Sequence, residues 1–140
     1  MEMTYTKLLE EVKKLEIEEI RADSSEMLEF AIGTDYLNQL NGVLEDYFGP
    51  PLKPPNKRPS PQAATYASPY GGIRRGQTLY CKEGDTVLNI ALLWPWGDGT
   101  CVTVKIMQDQ KSKFEVSSES LSQRVIHTLF GQKEKKRDST

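Results

Sequence analysis

The sequence predicts an α+β fold: a three- to four-stranded, mainly antiparallel sheet, two to three helices packed on one face, and a long Pro-rich loop. Three observations lead there. Apolar residues recur at helical spacing near both ends of the chain. Three runs rich in β-branched and aromatic residues lie between Gln77 and Met107, joined by short turns. Seven of the 8 prolines fall between Pro50 and Pro69. Helical periods, strand-like runs and a proline cluster in that order suit one domain, and 140 residues is an ordinary size for one.

Tyr5, Leu8, Leu9, Val12 and Leu15 form an amphipathic stripe that Thr4 or Thr6 caps. Residues 16–22 fit a continued helix or an extended segment equally well. Residues 26–32 read as a strand, expected at an edge of the sheet beside the later strands. Tyr36, Leu37, Leu40, Val43, Leu44, Tyr47 and Phe48 then form the clearest helical face. Gly49 and Pro50-Pro51 stop it. The loop that follows is expected to be extended, polyproline-like and mobile, contributing little to stability.

Runs 77–82, 86–94 and 100–107 make an antiparallel meander. Hairpins centred near Gly84 and Gly97 place Cys81 opposite Val87, and Cys101 opposite Leu93. Alternation then gives one dense apolar face, with Tyr80, Leu88, Ile90, Leu92, Trp94, Val102, Val104 and Ile106, on which the helices are expected. The other, mixed face holds Leu79, Cys81, Asn89, Leu93, Thr103 and Lys105. Ser120-x-x-Gln123 and the stripe Leu121, Val125, Leu129 open a last helix that Gly131 ends. The resulting division is 1–49, a helix–strand–helix part; 50–76, the basic Pro-rich loop; 77–131, the meander and C-terminal helix of the same domain; and 132–140, a disordered tail.

Charge is unevenly spread. Residues 1–49 are net −8, residues 50–82 net +6 with no acid at all, and the whole chain is −2. The basic stretch either lies on the acidic N-terminal part of its own chain or meets an anionic partner. Six cations over this length are thin for nucleic acid, which is disfavoured.

No set of residues spells catalysis. The 2 cysteines are too few for a disulfide framework and fall too far apart to pair, so both are expected as free thiols. With 1 histidine, His127, there is no base–nucleophile pair and no metal-ligand spacing. Gly71-Gly72-Ile73-Arg74-Arg75-Gly76 lacks the lysine and following helix of a phosphate loop. No catalytic, metal or cofactor-binding residue is assigned, and no cofactor is expected. No apolar run reaches the length of a membrane span, and Met-Glu-Met-Thr-Tyr is no secretory leader, so a cytoplasmic protein is expected.

Trp94-Pro95-Trp96-Gly97-Asp98-Gly99 stands out. Both tryptophans sit at one hairpin, where a turn needs neither. Trp94 is expected to continue the core stripe and Trp96 to project outward. The leading expectation is therefore a non-enzymatic protein–protein interaction or adaptor module with an unidentified protein partner. Its candidate contact residues are Trp96, Asp98, Tyr66, Tyr70, Arg74, Arg75, Lys57 and Arg58, with self-association through the second sheet face as a further possibility. The alternatives are a small-molecule or nucleotide site around Arg74 and Arg75, and an anion or nucleic-acid binder through the basic loop.

Overall fold

The structure, a computed structural model, describes residues 3–112 and 114. The chain divides into two compact units, Met1–Asp109 and Gln110–Thr140. The first carries the fold. In the second, the Phe114 N–H donates to the Lys111 carbonyl at 2.9 Å. The helix expected over 120–131, its His127 and the tail 132–140 lie outside the described residues.

The elements are α1 (Tyr5–Lys13), β1 (Ile17–Asp23), β2 (Met27–Gly33), α2 (Leu37–Phe48), α3 (Pro61–Ala67), β3 (Thr78–Glu83), β4 (Val87–Pro95) and β5 (Cys101–Gln110). Short 3₁₀ turns, Thr34–Tyr36 and Ser68–Tyr70, precede α2 and follow α3. The α+β class holds, and the antiparallel sheet has five strands instead of three or four, in the order β1-β2-β5-β4-β3. Residues 16–22 resolve as the extra strand. β1 takes the edge expected for 26–32, and β2 lies inside, pairing with β5 from Met27↔Met107 to Gly33↔Cys101. The β1–β2 register shifts twice, between Ile17 and Glu19 and between Ile20 and Ala22, so Glu18 and Arg21 are extra residues in a bulged edge.

Local chemistry explains the helix ends. The Thr4 hydroxyl accepts from the Lys7 N–H at 3.1 Å and caps α1. Gly49, at φ 80°, ends α2 as its N–H donates to the Glu45 carbonyl. α1 and α2 cover one sheet face. Their Leu8, Val12, Leu40 and Leu44 join Leu28, Phe30, Ile32, Tyr80, Ala91, Leu93, Val102, Val104 and Ile106 in one buried cluster.

That cluster corrects the expected faces. Tyr80, Val102, Val104 and Ile106 do meet the helices. Ile90, Leu88, Leu92 and Trp94 belong to the opposite face, because β4 is inverted relative to both neighbours. Cys81 lies opposite Ile90, not Val87. The first hairpin turns at Asp85-Thr86, where the Gly84 N–H donates to the Val87 carbonyl, and not on Gly84. In the second, the Trp96 N–H donates to the Cys101 carbonyl, which displaces Leu93 as the partner of Cys101. Each slip is an odd number of residues, so each exchanges the faces of β4.

The second face is apolar too, and it is covered. Leu79, Leu88, Ile90 and Leu92 are buried there, as are Ala63 and Ala67 of α3. The expectation of helices on one face only is therefore wrong, and so is that of a strap extended throughout. Ser60 caps α3 through its hydroxyl to the Ala63 N–H, with Pro61 at the first helical position. Lys53 forms an antiparallel bridge with Leu79, exchanging both backbone hydrogen bonds. Its side chain is 1% exposed, and its ammonium donates to the carbonyls of Pro54, Arg75 and Gln77. Burial and the Arg75 charge push the Lys53 amine below its usual range. Further along, the Tyr70 hydroxyl donates to Asp109 at 2.5 Å and the Lys105 ammonium to the Tyr70 carbonyl at 3.2 Å. The strap thus runs from the β3 edge across the second face to β5.

Candidate interaction site at the Trp96 hairpin

β4 leaves the sheet through Pro95, and β5 returns at Cys101. Between them the Gly99 N–H donates to the Trp96 carbonyl at 3.0 Å, closing a tight turn with Gly99 at φ 77°. Asp98 has a structural task in that turn. Its carboxylate accepts from both the N–H and the hydroxyl of Thr100, and these bonds hold its carboxyl below the usual carboxylate range. The Thr34 hydroxyl donates to the Gly99 carbonyl at 2.8 Å, fastening the turn to the end of β2.

Trp96 stays 38% exposed. Its ring is nevertheless fixed. The indole N–H donates to the Thr103 hydroxyl at 2.9 Å. Arg21 Nη1 donates to the same oxygen at 3.2 Å, and its guanidinium carbon stands 6.0 Å from the indole centroid. Arg21 is the extra residue of the β1 bulge, which aims it across β2 toward β5. Glu19 at 3.5 Å and Glu29 at 3.8 Å flank the guanidinium. The result is an aromatic plate at the sheet end, held at its edge by a hydroxyl and with a cation over its ring.

Trp94 is not the core residue expected. It shares the second face with Trp96, half-buried. A Cβ placed on Gly71 would lie 2.9 Å from its Cη2, and the Lys105 ammonium stands 4.5 Å from its ring centroid. Its indole N–H is buried with no hydrogen-bond partner among the described residues.

The remaining candidates separate into two groups. Tyr66 and Tyr70 belong to the strap's attachment. The Tyr66 hydroxyl donates to Glu83 at 3.3 Å, and the Tyr70 hydroxyl is committed to Asp109; burial, first of all, raises the pKa of both phenols. Lys57, Arg58, Arg74 and Arg75 are exposed and come together at the strap's neck, where the Asn56 N–H donates to the Arg75 carbonyl at 3.0 Å and Arg75 Nε to the Asn56 carbonyl at 3.4 Å. None of the four pairs with a carboxylate among the described residues, whereas Lys82, at the end of the basic stretch, places its ammonium 4.5 Å from the Tyr47 ring centroid on α2. A cavity of about 170 Å³ lies on the helix-covered face between α2, the strap and the ends of β3 and β4, lined by Asn41, Glu45, Pro51, Pro55 and Tyr80 among others. Arg74 and Arg75 are not among its walls.

Both cysteines are free and half-buried; burial, then Glu83, pushes the Cys81 thiol up, away from nucleophilic use. The described residues contain no helix long and apolar enough to cross a membrane. Sequence reasoning missed Arg21 and Thr103, because nothing in the local pattern marks a bulge or a hydroxyl that accepts from an indole at the hairpin turn. No family model, curated protein or solved structure matches this chain.

Proposed function

We propose that the protein is a non-enzymatic interaction module whose contact with a partner protein centres on Trp96. The observation that carries this reading is that Trp96 is both exposed and held: its N–H is bound to Thr103 and the Arg21 guanidinium stands over its ring. An exposed aromatic with few conformations left to lose gives up little entropy on binding, and tryptophan and arginine are the residue types that dominate interface energetics. Arg21 and Trp96 together offer that pair. The turn below them is fastened by Thr34 and Asp98, so the plate sits on rigid elements.

The test is affinity capture from native extract with the wild-type chain, Trp96→Ala and Trp96→Phe, read by quantitative mass spectrometry. Partners that contact the plate are lost with alanine and largely kept with phenylalanine. Identical protein sets on all three baits would end the reading. Sedimentation of the purified chain separates a second copy of itself from a different partner.

A further inference from the structure

We infer that the neck of the strap is a second contact site, a basic patch formed by Lys57, Arg58, Arg74 and Arg75 that receives an acidic segment of a partner protein. The residues lie 16 positions apart in sequence at their closest, Arg58 to Arg74. The fold closes that gap. Asn56 and Arg75 exchange two hydrogen bonds, Lys53 and Leu79 pair just beyond them, and the Lys53 ammonium ties the two strands of the neck through the Arg75 and Gln77 carbonyls. Asn56 takes a left-handed φ of 71° there, a conformation asparagine tolerates, which turns the chain toward Lys57 and Arg58. All four cations therefore stand within two residues of one cross-linked pair.

Among the described residues nothing neutralises this charge. No carboxylate among the described residues pairs with any of them, and residues 50–82 contain no acid. Like charges gathered on a rigid neck repel one another, and a complementary anion relieves that repulsion. Three of the four are arginines, whose forked guanidinium groups match carboxylates at two points. Four charges are too few for strong duplex binding, where affinity follows the number of phosphates neutralised. A single-stranded nucleic acid needs aromatic plates beside the cations, and the strap's Tyr66 and Tyr70 are instead tied to Glu83 at the end of β3 and to Asp109 of β5. A short run of glutamates or aspartates fits the charge count best. This site does not depend on Trp96, so the two readings fail separately.

The experiment is a titration of the full chain, followed by backbone amide shifts, with a hexaglutamate peptide, a hexaglutamine peptide, a short DNA duplex and inorganic tripolyphosphate. The expected result is saturable binding of hexaglutamate with shifts centred on 56–58 and 74–76, weakening as salt rises past the point where exposed charges are screened. Hexaglutamine should not bind. Lys57→Gln/Arg58→Gln/Arg74→Gln, which leaves the Arg75 hydrogen bonds intact, should bind hexaglutamate about tenfold more weakly with its amide spectrum otherwise unchanged. Lys7→Gln, on α1 and outside both contact sites, should bind it as wild type does. Tighter binding of the duplex or of tripolyphosphate, equal binding by the triple variant, or no saturation would each overturn the inference.

Discussion

The Thr103 hydroxyl accepts from two side chains that are far apart in sequence, the Trp96 indole at 2.9 Å and the Arg21 guanidinium at 3.2 Å. It is the point at which the β1 edge, β5 and the hairpin turn are joined. Thr103→Val keeps the shape and removes the acceptor. We expect it to cost about 1 kcal/mol, the net worth of one hydrogen bond, since the indole N–H regains water. The Trp96 indole N–H resonance should shift and the ring should gain mobility on the nanosecond scale. An unchanged indole resonance would show that Thr103 does not hold the ring.

Lys53→Met should be far more damaging than its place in a proline-rich strap suggests. The methionine fills similar space, yet leaves the carbonyls of Pro54 and Gln77 without the donor that now serves them, and the Arg75 carbonyl with the Asn56 N–H alone. Unsatisfied buried acceptors typically cost about 1–3 kcal/mol each, so a loss of about 2–4 kcal/mol is expected in denaturant titration. A change within about 0.5 kcal/mol, the range of ordinary surface substitutions, would mean the neck is not anchored by this side chain.

Adjacent glycines separate backbone strain from contact. Gly71 has φ 114° and lies against Trp94, so a methyl there meets the ring at 2.9 Å. Gly72 has φ 87° with nothing within 4 Å of an added Cβ. Gly72→Ala should cost about 1 kcal/mol from φ alone, and Gly71→Ala about 2–3 kcal/mol because the ring must also move. Equal losses would place the strap away from Trp94.

Alkaline pH should weaken the fold. Burial, with the Glu45 charge, pushes the Tyr80 phenol up to about 12; burial also raises Tyr5 and Tyr70, the latter aided by its bond to Asp109. Above the ordinary tyrosine value of 10.0 the unfolded chain releases these protons while the folded chain keeps them. Stability is therefore fully present below pH 10 and falls as pH rises toward 12. Lys53, with its amine pushed down, acts in the opposite sense but in a lower window: its contribution rises with pH up to the ordinary lysine value of 10.5, and Lys53→Met should lose that rise. Stability that is flat or rising as pH goes from 10 toward 12 would contradict the burial of these phenols.

The class, α1, α2 and the three meander strands were legible because each has a strong period or a cap of its own. Face membership was not. It depends on which two residues occupy a turn, and Gly84 and Gly97 are turn formers that flank the bend in one hairpin and sit inside a wider one in the other. β1 was ambiguous since its side chains are mostly exposed, so it carries little alternation. The strap concealed its helix for a different reason. Ser60-Pro61 spells a helix start, but dense prolines on its N-terminal side read as extended chain. Of the site, Trp96 was visible as a misplaced aromatic, whereas its supports, Arg21 and Thr103, are brought to it by strand order and a bulge.

The most direct test joins binding and stability in one pair of proteins. A purified partner obtained with the wild-type bait is titrated against wild type and Trp96→Ala, and both chains are unfolded in denaturant. We predict at least about a tenfold loss of affinity, with a stability change below about 2 kcal/mol, since the ring is a partly exposed plate and not a core member. Equal affinity for the two chains would contradict the central role of Trp96, and so would a loss of stability of about 3–5 kcal/mol, the range for emptying a buried tryptophan site.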